Sequence, residues 1–316
     1  MKKKVRLKKE VKYGFIGIVV LIIAIVFLVQ FISYRTSTKY KLKDLGYTTE
    51  EVTTIIEKLD HEQVKDILKM EYNQNIVLFL QEKYFIYDNL GRYLDYQKEN
   101  QDKSTSDVLA MVNVNRDRDF YIDTKETDLS LGDLILVNKY YSLPDDYEPE
   151  NIVKMNLQYA YDDNSIRDYV YDAFLEMYRA AMEEGYQLIT NSSYRDYDWQ
   201  DTLYNNYKTS RGQEYADAFA ARPGYSEHQT GLALDITCYN CTNGTFDDFA
   251  ESEEYQWLLK NSYKYGFILR YPEGKEDITG YNFEAWHFRY VGKDMAKKIY
   301  NSGLTFDEYY AYYIEK

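Results

Sequence analysis

The sequence predicts an α+β fold: a compact, antiparallel-rich sheet flanked by helices, preceded by one N-terminal transmembrane helix and a small helical region. Three observations carry this reading. A single uncharged apolar run stands near the N-terminus. Between it and about residue 100 the apolar residues recur at helical spacing. From about residue 165 onward, helical segments alternate with short apolar runs bounded by Gly and Pro. The resulting divisions are a basic tail over 1–12, an apolar span over 13–33, a linker and small helical region over 34–110, and a main domain over 111–316.

Of the 316 residues, 45 % are apolar, enough for a packed core. The formal net charge is −14 and is unevenly spread. Residues 1–12 hold seven Lys/Arg and one Glu, an excess of six positive charges, so the rest of the chain carries −20. An acidic body excludes a nucleic-acid partner, since phosphates need a basic face. It also means that an anionic substrate has to be held by local positive groups.

No charge interrupts Gly14 to Ile32, a 19-residue run that fits the length of a bilayer-spanning helix. Lys2, Lys3, Lys4, Arg6, Lys8, Lys9 and Lys12 precede it, which places the N-terminus in the cytoplasm and the body outside the cell membrane. A cleaved signal peptide is the competing reading. Against it, the run is long and Gln30-Phe31-Ile32-Ser33 offers no small-residue cleavage pattern. The two cysteines, Cys238 and Cys241, form a single Cys-x-x-Cys, too few thiolates for a structural zinc site. Outside the membrane a local disulfide is the expected state.

After the linker, Thr48-Thr49-Glu50-Glu51 has capping-box spacing and opens a helix with Val52, Ile55, Ile56 and Leu59 on one face. Asp60 caps a second helix, with His61 exposed in its first turn, and a third runs from about Gln74 into Tyr84. Val108 to Val114 fits a strand or a short helix, and Leu134 to Tyr141 reads as a strand. A helix is expected from Ser165, with Ile166, Val170, Phe174, Met177 and Ala181 as its apolar stripe and Gly185 as its stop. Tyr186 to Thr190 is a strand continuing towards Arg195, and Asp196 caps a helix whose Trp199, Leu203 and Tyr207 face inward. A small helix covers Gln213 to Ala221. Leu232 to Ile236 is a buried strand in which Gly231, Ala233 and Asp235 share one face. Ser252 caps a helix that stops at Gly266. Phe267 to Tyr271 and Phe283 to Val291 are the last strands, and helices follow at Lys293 and Thr305.

Two of the three histidines lie in short segments with an acid at fixed spacing: His228 stands seven residues before Asp235, and His287 three residues after Glu284. Two imidazoles and a carboxylate are the protein ligands of a catalytic zinc site with one open position. A further carboxylate off the metal can take a proton from the attacking water. Asp235 on an otherwise apolar strand fits this, because a buried carboxylate is costly without a partner.

Three blocks carry a family resemblance: Ser193-Tyr194-Arg195 with Gln200; Ser226-x-His228-x-x-Gly231-x-Ala233-x-Asp235; and Glu284-x-Trp286-His287-x-Arg289-Tyr290-Val291. Together they resemble the zinc D-alanyl-D-alanine carboxypeptidases of the VanY type, over about 138–292. Tyr265 to Pro272 matches the family's usual wording as well. The resemblance implies a zinc peptidase in which Zn2+ is held by His228, Asp235 and His287. It implies Glu284 as general base, Arg195 as a catalytic and substrate-binding guanidinium, and Gln200 and Ser226 as hydrogen-bonding partners of substrate. The implied substrates are peptidoglycan stem peptides outside the cell, losing their terminal D-alanine. L,D-carboxypeptidase action on tetrapeptides, D-Ala-D-Ala dipeptidase action and a non-catalytic wall-binding scaffold are the alternatives. One departure is Ala285, where the family often has proline. A regular strand also puts residues i and i+3 on opposite faces, so Glu284 and His287 can meet only if a bulge precedes Trp286.

Overall fold

The computed structural model describes residues 9–162, 164–239, 241 and 246–315. Residues 1–8 of the basic tail, and Asn240 within the Cys-x-x-Cys, lie outside the described residues. The chain divides into two compact units, Met1–Ser106 and Asp107–Lys316.

The first unit is helical. Its long helix, Lys9–Thr36, contains a stretch, Gly17–Thr36, that is long and apolar enough to cross a membrane, with mean hydropathy 2.7 and no part of it buried. Helices Thr38–Asp44, Thr49–Lys58, His61–Ile67, Gln74–Gln81 and Leu90–Glu99 follow. Two of the caps read from sequence are formed. Thr48 Oγ1 accepts from Glu51 N–H while Glu51 returns a bond to Thr48 N–H, and Asp60 accepts from Glu62 and Gln63 N–H. Such caps are needed because these helices are short and leave a large share of their amides unpaired. Val52, Ile55, Val64, Ile67, Ile76, Phe79 and Tyr93 are buried, and His61 is exposed.

The second unit is built on a four-stranded antiparallel sheet: β1 (Leu188–Ser192), β2 (Ala233–Cys238), β3 (Phe267–Tyr271) and β4 (Glu284–Tyr290), in the spatial order β1-β2-β4-β3. One face packs on the Asp168–Glu183 helix. Val170, Phe174, Met177 and Ala181 meet Leu188, Leu234, Ile236 and Phe288 in one apolar core with Trp257 and Leu258 of the Glu253–Asn261 helix. Leu136, Ile268, Val291, Ile299, Phe306 and Tyr310 form a second cluster. Cys238 and Cys241 form a disulfide just beyond β2.

The structure departs from the sequence reading in four places. Thr105–Asn113 is a helix, which resolves the ambiguity at Val108 to Val114. Leu134 to Tyr141 is not a strand. Leu134 closes the helical turn Leu129–Leu134, and Asn138 and Tyr141 pair across a tight turn. Only Tyr141 enters a strand, the two-residue Tyr141–Ser142 beside Lys125–Glu126, while Arg289 donates to the nearby carbonyls of Asp133 and Ile135. Ser165–Arg167 is a short strand paired with Ile152–Lys154, and the helix starts only at Asp168. Its Ile166 still enters the core, so burial alone does not separate the two states. Finally, Trp199 is 52 % exposed, and the buried positions of the Tyr197–Arg211 helix are Gln200 and Tyr204.

Gly266 ends the turn Ser262–Tyr265 with φ +95° and starts β3. A Cβ there would stand 2.6 Å from the Tyr290 ring and 3.2 Å from the Gly292 backbone. Strain and overlap add, so Gly266→Ala is expected to destabilise the domain by more than about 1 kcal/mol. Chemical denaturation of the two proteins checks this; equal midpoints would contradict it.

Candidate metal centre

The candidate ligands arrive from two supports. His228 sits on the turn Glu227–Thr230, and Gly231, in the left-handed conformation at φ +66°, swings the chain from that turn into β2. Asp235 on β2 and His287 on β4 are direct cross-strand partners. All three are buried, and their ligand atoms lie within 4.8 Å of one another. Asp235 Oδ1 is 3.3 Å from His228 Nε2 and 3.5 Å from His287 Nδ1. It has no hydrogen-bond partner, although it is buried. Those separations are long for charge-assisted hydrogen bonds, which run about 2.7–2.9 Å. They match the edge of a tetrahedron whose corners lie about 2.0–2.1 Å from a zinc ion, about 3.3 Å. The donor set therefore fits a tetrahedral metal ion with one position open.

Each ring nitrogen that faces away from this point is held. His228 Nδ1 lies 2.6 Å from the Ser193 carbonyl, so it carries the proton and Nε2 presents its lone pair. His287 is set the opposite way: Nε2 lies 3.3 Å from Glu227 Oε2 and Nδ1 faces Asp235. The Tyr271 ring packs edge-on against His287 at 4.9 Å.

Glu284 reaches the same place through a bulge. Leu269 pairs with Phe288 but Tyr271 pairs with Glu284, so β4 carries two extra residues opposite one step of β3. Alternation breaks there. Ala285 and Phe288, three apart, both enter the apolar core, while Glu284 Oε2 and His287 Nδ1 approach to 3.4 Å on the other side. The irregular entry that the spacing demanded is thus present. Glu284 keeps 24 % of its side chain exposed, open to a cavity of about 450 Å³ shared with the three ligands.

Arg195 follows β1 and is largely enclosed. Its Nη1 donates to Ser192 Oγ at 2.8 Å and lies 3.8 Å from Asp235 Oδ2; its Nε donates to Gln200 Oε1 at 3.0 Å. Asp196 instead caps the following helix, so Arg195 is not spent on a surface pair with it. Gln200 donates onward to the Ala221 carbonyl. Gln200 thus braces Arg195, and it also lines the cavity. Ser226 is buried and lines the cavity, as do Leu203 and Tyr207, which accounts for their half-buried state.

Four residues that the motif reading assigned no role complete the site: Glu227, Arg270, Arg289 and Asp307. Glu227 Oε1 accepts from Arg270 Nε at 2.8 Å and Arg289 Nη1 at 2.9 Å, leaving Oε2 for His287. Arg270 also pairs with Asp307. Both arginines are fully buried. The usable signal in the sequence was charge inside apolar strands, Arg270 in Phe-Ile-Leu-Arg-Tyr above all.

This field separates the two rings. Burial, together with Arg195, pushes His228 down to about 4 against the pull of Asp235. Burial also acts against the charge on His287, but its bonds to Glu227 and Glu284 and the charge of Asp235 outweigh it and push the ring up to about 9. Asp235, although buried, is drawn down to about 2 by His228, His287 and Arg195. Arg270 and Arg289 overcome the burial of Glu227 and hold its carboxyl well below the usual range.

A buried cluster of two imidazoles and a carboxylate, beside a further acid and a guanidinium in one cleft of an α+β sheet, defines a metallohydrolase-type centre. The sequence model of the VanY family, described as D-alanyl-D-alanine carboxypeptidase, matches residues 163–293. A bifunctional D-Ala-D-Ala dipeptidase and D-Ala-D-Ala carboxypeptidase, VanXYC of Enterococcus gallinarum, is 32 % identical over 185 residues, covering 58 % of this chain and 95 % of the relative. A putative carboxypeptidase of Bacillus subtilis, YodJ, is 42 % identical over 181 residues, covering 56 % of this chain and 66 % of the relative. The solved structure of the LdcB LD-carboxypeptidase aligns with TM-score 0.57 and 40 % identity, over 60 % of this chain and 91 % of that one. The chain belongs to the VanY family, whose model is described as D-alanyl-D-alanine carboxypeptidase. It spans just under two thirds of the length of the first curated relatives, 66 % and 65 %.

Two outcomes are expected. A metal ion must displace the His287 proton below about pH 9, while His228 is already neutral above about pH 4. Metal uptake is therefore expected to release about one proton per ion between about pH 5 and about pH 8, with affinity rising about tenfold per pH unit. Calorimetry in buffers of different ionisation enthalpy measures this, and no proton release would refute the assignment. Glu227→Gln is expected to weaken metal binding about 10–100-fold, read by competition with a chromogenic chelator.

Proposed function

We propose that the chain is a membrane-anchored, zinc-dependent carboxypeptidase that removes the C-terminal D-alanine from peptidoglycan stem peptides outside the cell. The observation that carries this reading is the convergence of His228, Asp235 and His287 with Glu284 and Arg195 on one cavity. The names of the relatives supply the substrate class. The apolar helix and the basic residues before it support an anchor with a cytoplasmic N-terminus, and the Cys238–Cys241 disulfide favours an oxidising exterior.

In this reading His228, Asp235 and His287 hold the zinc ion. Bound zinc supplies Lewis acidity and brings a water's pKa near 7. Glu284 accepts the proton of the attacking water and returns it to the departing amine nitrogen as the peptide C–N bond breaks. The water oxygen ends in the new carboxylate. Arg195 supplies a guanidinium for the substrate's terminal carboxylate or for the negative charge that develops on the scissile carbonyl oxygen. Gln200 fixes that guanidinium, and Ser226 offers a hydroxyl at the cavity wall.

The 40 % identity to an LD-carboxypeptidase favours a second reading, cleavage of tetrapeptide stems between an L-centre and D-alanine. The same residues would act. Full-length protein in detergent, given pentapeptide and tetrapeptide stems with and without chelator, separates the readings by which stem releases D-alanine. No release from either stem refutes both. His228→Ala is expected to lose metal and turnover together. Glu284→Ala is expected to retain metal and lose at least about 100-fold in kcat, the usual scale for removing a general base. Near-normal turnover of Glu284→Ala would remove it from the base role.

A further inference from the structure

A second cavity, about 560 Å³, adjoins the metal cavity, and the two share Ala218 and Asn282 in their walls. Lys139 lines it and is 3 % exposed. Among the described residues its ammonium donates to one acceptor, the Asp217 carbonyl at 2.9 Å. Two ring faces also lie against it, Phe120 at 4.2 Å and Tyr281 at 4.6 Å. Arg116 also lies over the Phe120 ring, 4.4 Å from its centroid. The nearest carboxylate, Asp217, is already bound by both ends of the Arg222 fork and by the Tyr204 hydroxyl. A buried ammonium with three donors and one carbonyl acceptor is under-satisfied, and aromatic faces stabilise the charge without accepting its protons in line. Burial, with Arg116, pushes the amine down to about 8 against Asp217, which leaves it charged at neutral pH.

We propose that Lys139, with Arg116 beside it, forms a carboxylate subsite that takes an acidic group of the substrate upstream of the scissile bond. The inference rests on the carboxypeptidase reading of the adjoining cavity and names a specificity determinant for it. In a chain whose main body carries −20, this corner concentrates Lys139, Arg116 and Arg222. Glu214 and Asp217 also line the cavity. Glu214 is solvent-exposed, where its charge is screened, and Asp217 is neutralised by Arg222. A carboxylate of the bound peptide would complete the coordination that the protein leaves open. The wall shared at Ala218 and Asn282 makes this subsite adjoin the metal cavity, on the side of the Gln213–Phe219 helix.

The experiment compares matched stem peptides in which each acidic group upstream of the cleaved bond is either a free carboxylate or its carboxamide, together with a short acetylated peptide lacking that group. Full-length wild type is expected to prefer one free acid over its amide by about tenfold or more in kcat/KM, the scale of a charge-assisted hydrogen bond. Lys139→Met is expected to bring that ratio close to one. Arg116→Gln, at a half-exposed position, is expected to reduce it partly and keeps the test open if Lys139→Met does not fold. A wild type that cleaves the short peptide but shows equal rates for acid and amide overturns this inference alone. An unchanged ratio in both folded variants overturns it as well. A wild type that cleaves none of the peptides overturns the underlying function instead.

Discussion

The contact between Glu227 and His287 is the interaction on which the metal centre depends. Glu227 is fully buried, and its charge is tolerable only because Arg270 and Arg289 both bond to Oε1. Those arginines are fully buried in turn, and Arg270 needs Asp307 to balance it. Removing one partner from such a network typically costs about 3–5 kcal/mol, because a charge is left alone in low dielectric. Two cations and two anions thus lock one another, and the remaining oxygen of Glu227 fixes which nitrogen of His287 looks inward. The network also recruits backbone. Arg289 binds the carbonyls of Asp133 and Ile135, which ties the segment before Leu136 to the interior strand β4. One set of charges therefore holds the ligand, the sheet and the chain that crosses it.

The bulge in β4 is the second constraint, and it answers a geometric conflict. Glu284 and His287, the proposed base and metal ligand, are three residues apart and cannot share one face of a regular strand. Two extra residues between the pairs Leu269–Phe288 and Tyr271–Glu284 rotate the chain. The apolar side benefits equally, since Ala285 and Phe288 both reach the core. Alanine at 285 is fully buried, so a small side chain at that position closes the core without pushing the bulge outward. A second register shift lies between Thr190 and Ser192 of β1, opposite Asp235. It ends the pairing just where Ser192 turns to receive Arg195. Both irregularities border the metal group, as expected where strands must aim side chains that alternation would misdirect.

Much of this was legible in the sequence. The scarcity of histidine isolated His228 and His287, and an acid on an apolar strand singled out Asp235. The i+3 spacing of Glu284 and His287 made the irregular entry a requirement before any coordinates. Caps at Thr48, Asp60, Asp196 and Ser252 were readable because capping is local chemistry. What stayed hidden depends on partners far along the chain. Leu134 to Tyr141 has a strand's composition, but its Ile135 carbonyl is taken by Arg289, about 150 residues later, and those of Lys139 and Tyr140 by the amides of Tyr121 and Lys125. Ile166 fits a helix stripe and a strand equally, and only pairing with Val153 decides. That Gln200 bridges Arg195 and the Ala221 carbonyl is likewise a tertiary fact that its residue type does not reveal.

The acidic body and the cationic site are parts of one electrostatic arrangement. Outside residues 1–12 the chain carries −20, so it offers an anionic polymer no long-range attraction, and any such field is screened within about 8–10 Å in physiological salt. Arg195 and Lys139 are enclosed instead, where the same unit charges act through a much lower effective dielectric. Recognition then falls on contact rather than on approach. For the proposed peptide substrate, a guanidinium or an ammonium would act only once the peptide has entered the cleft, and selectivity would follow the placement of individual carboxylates rather than total charge.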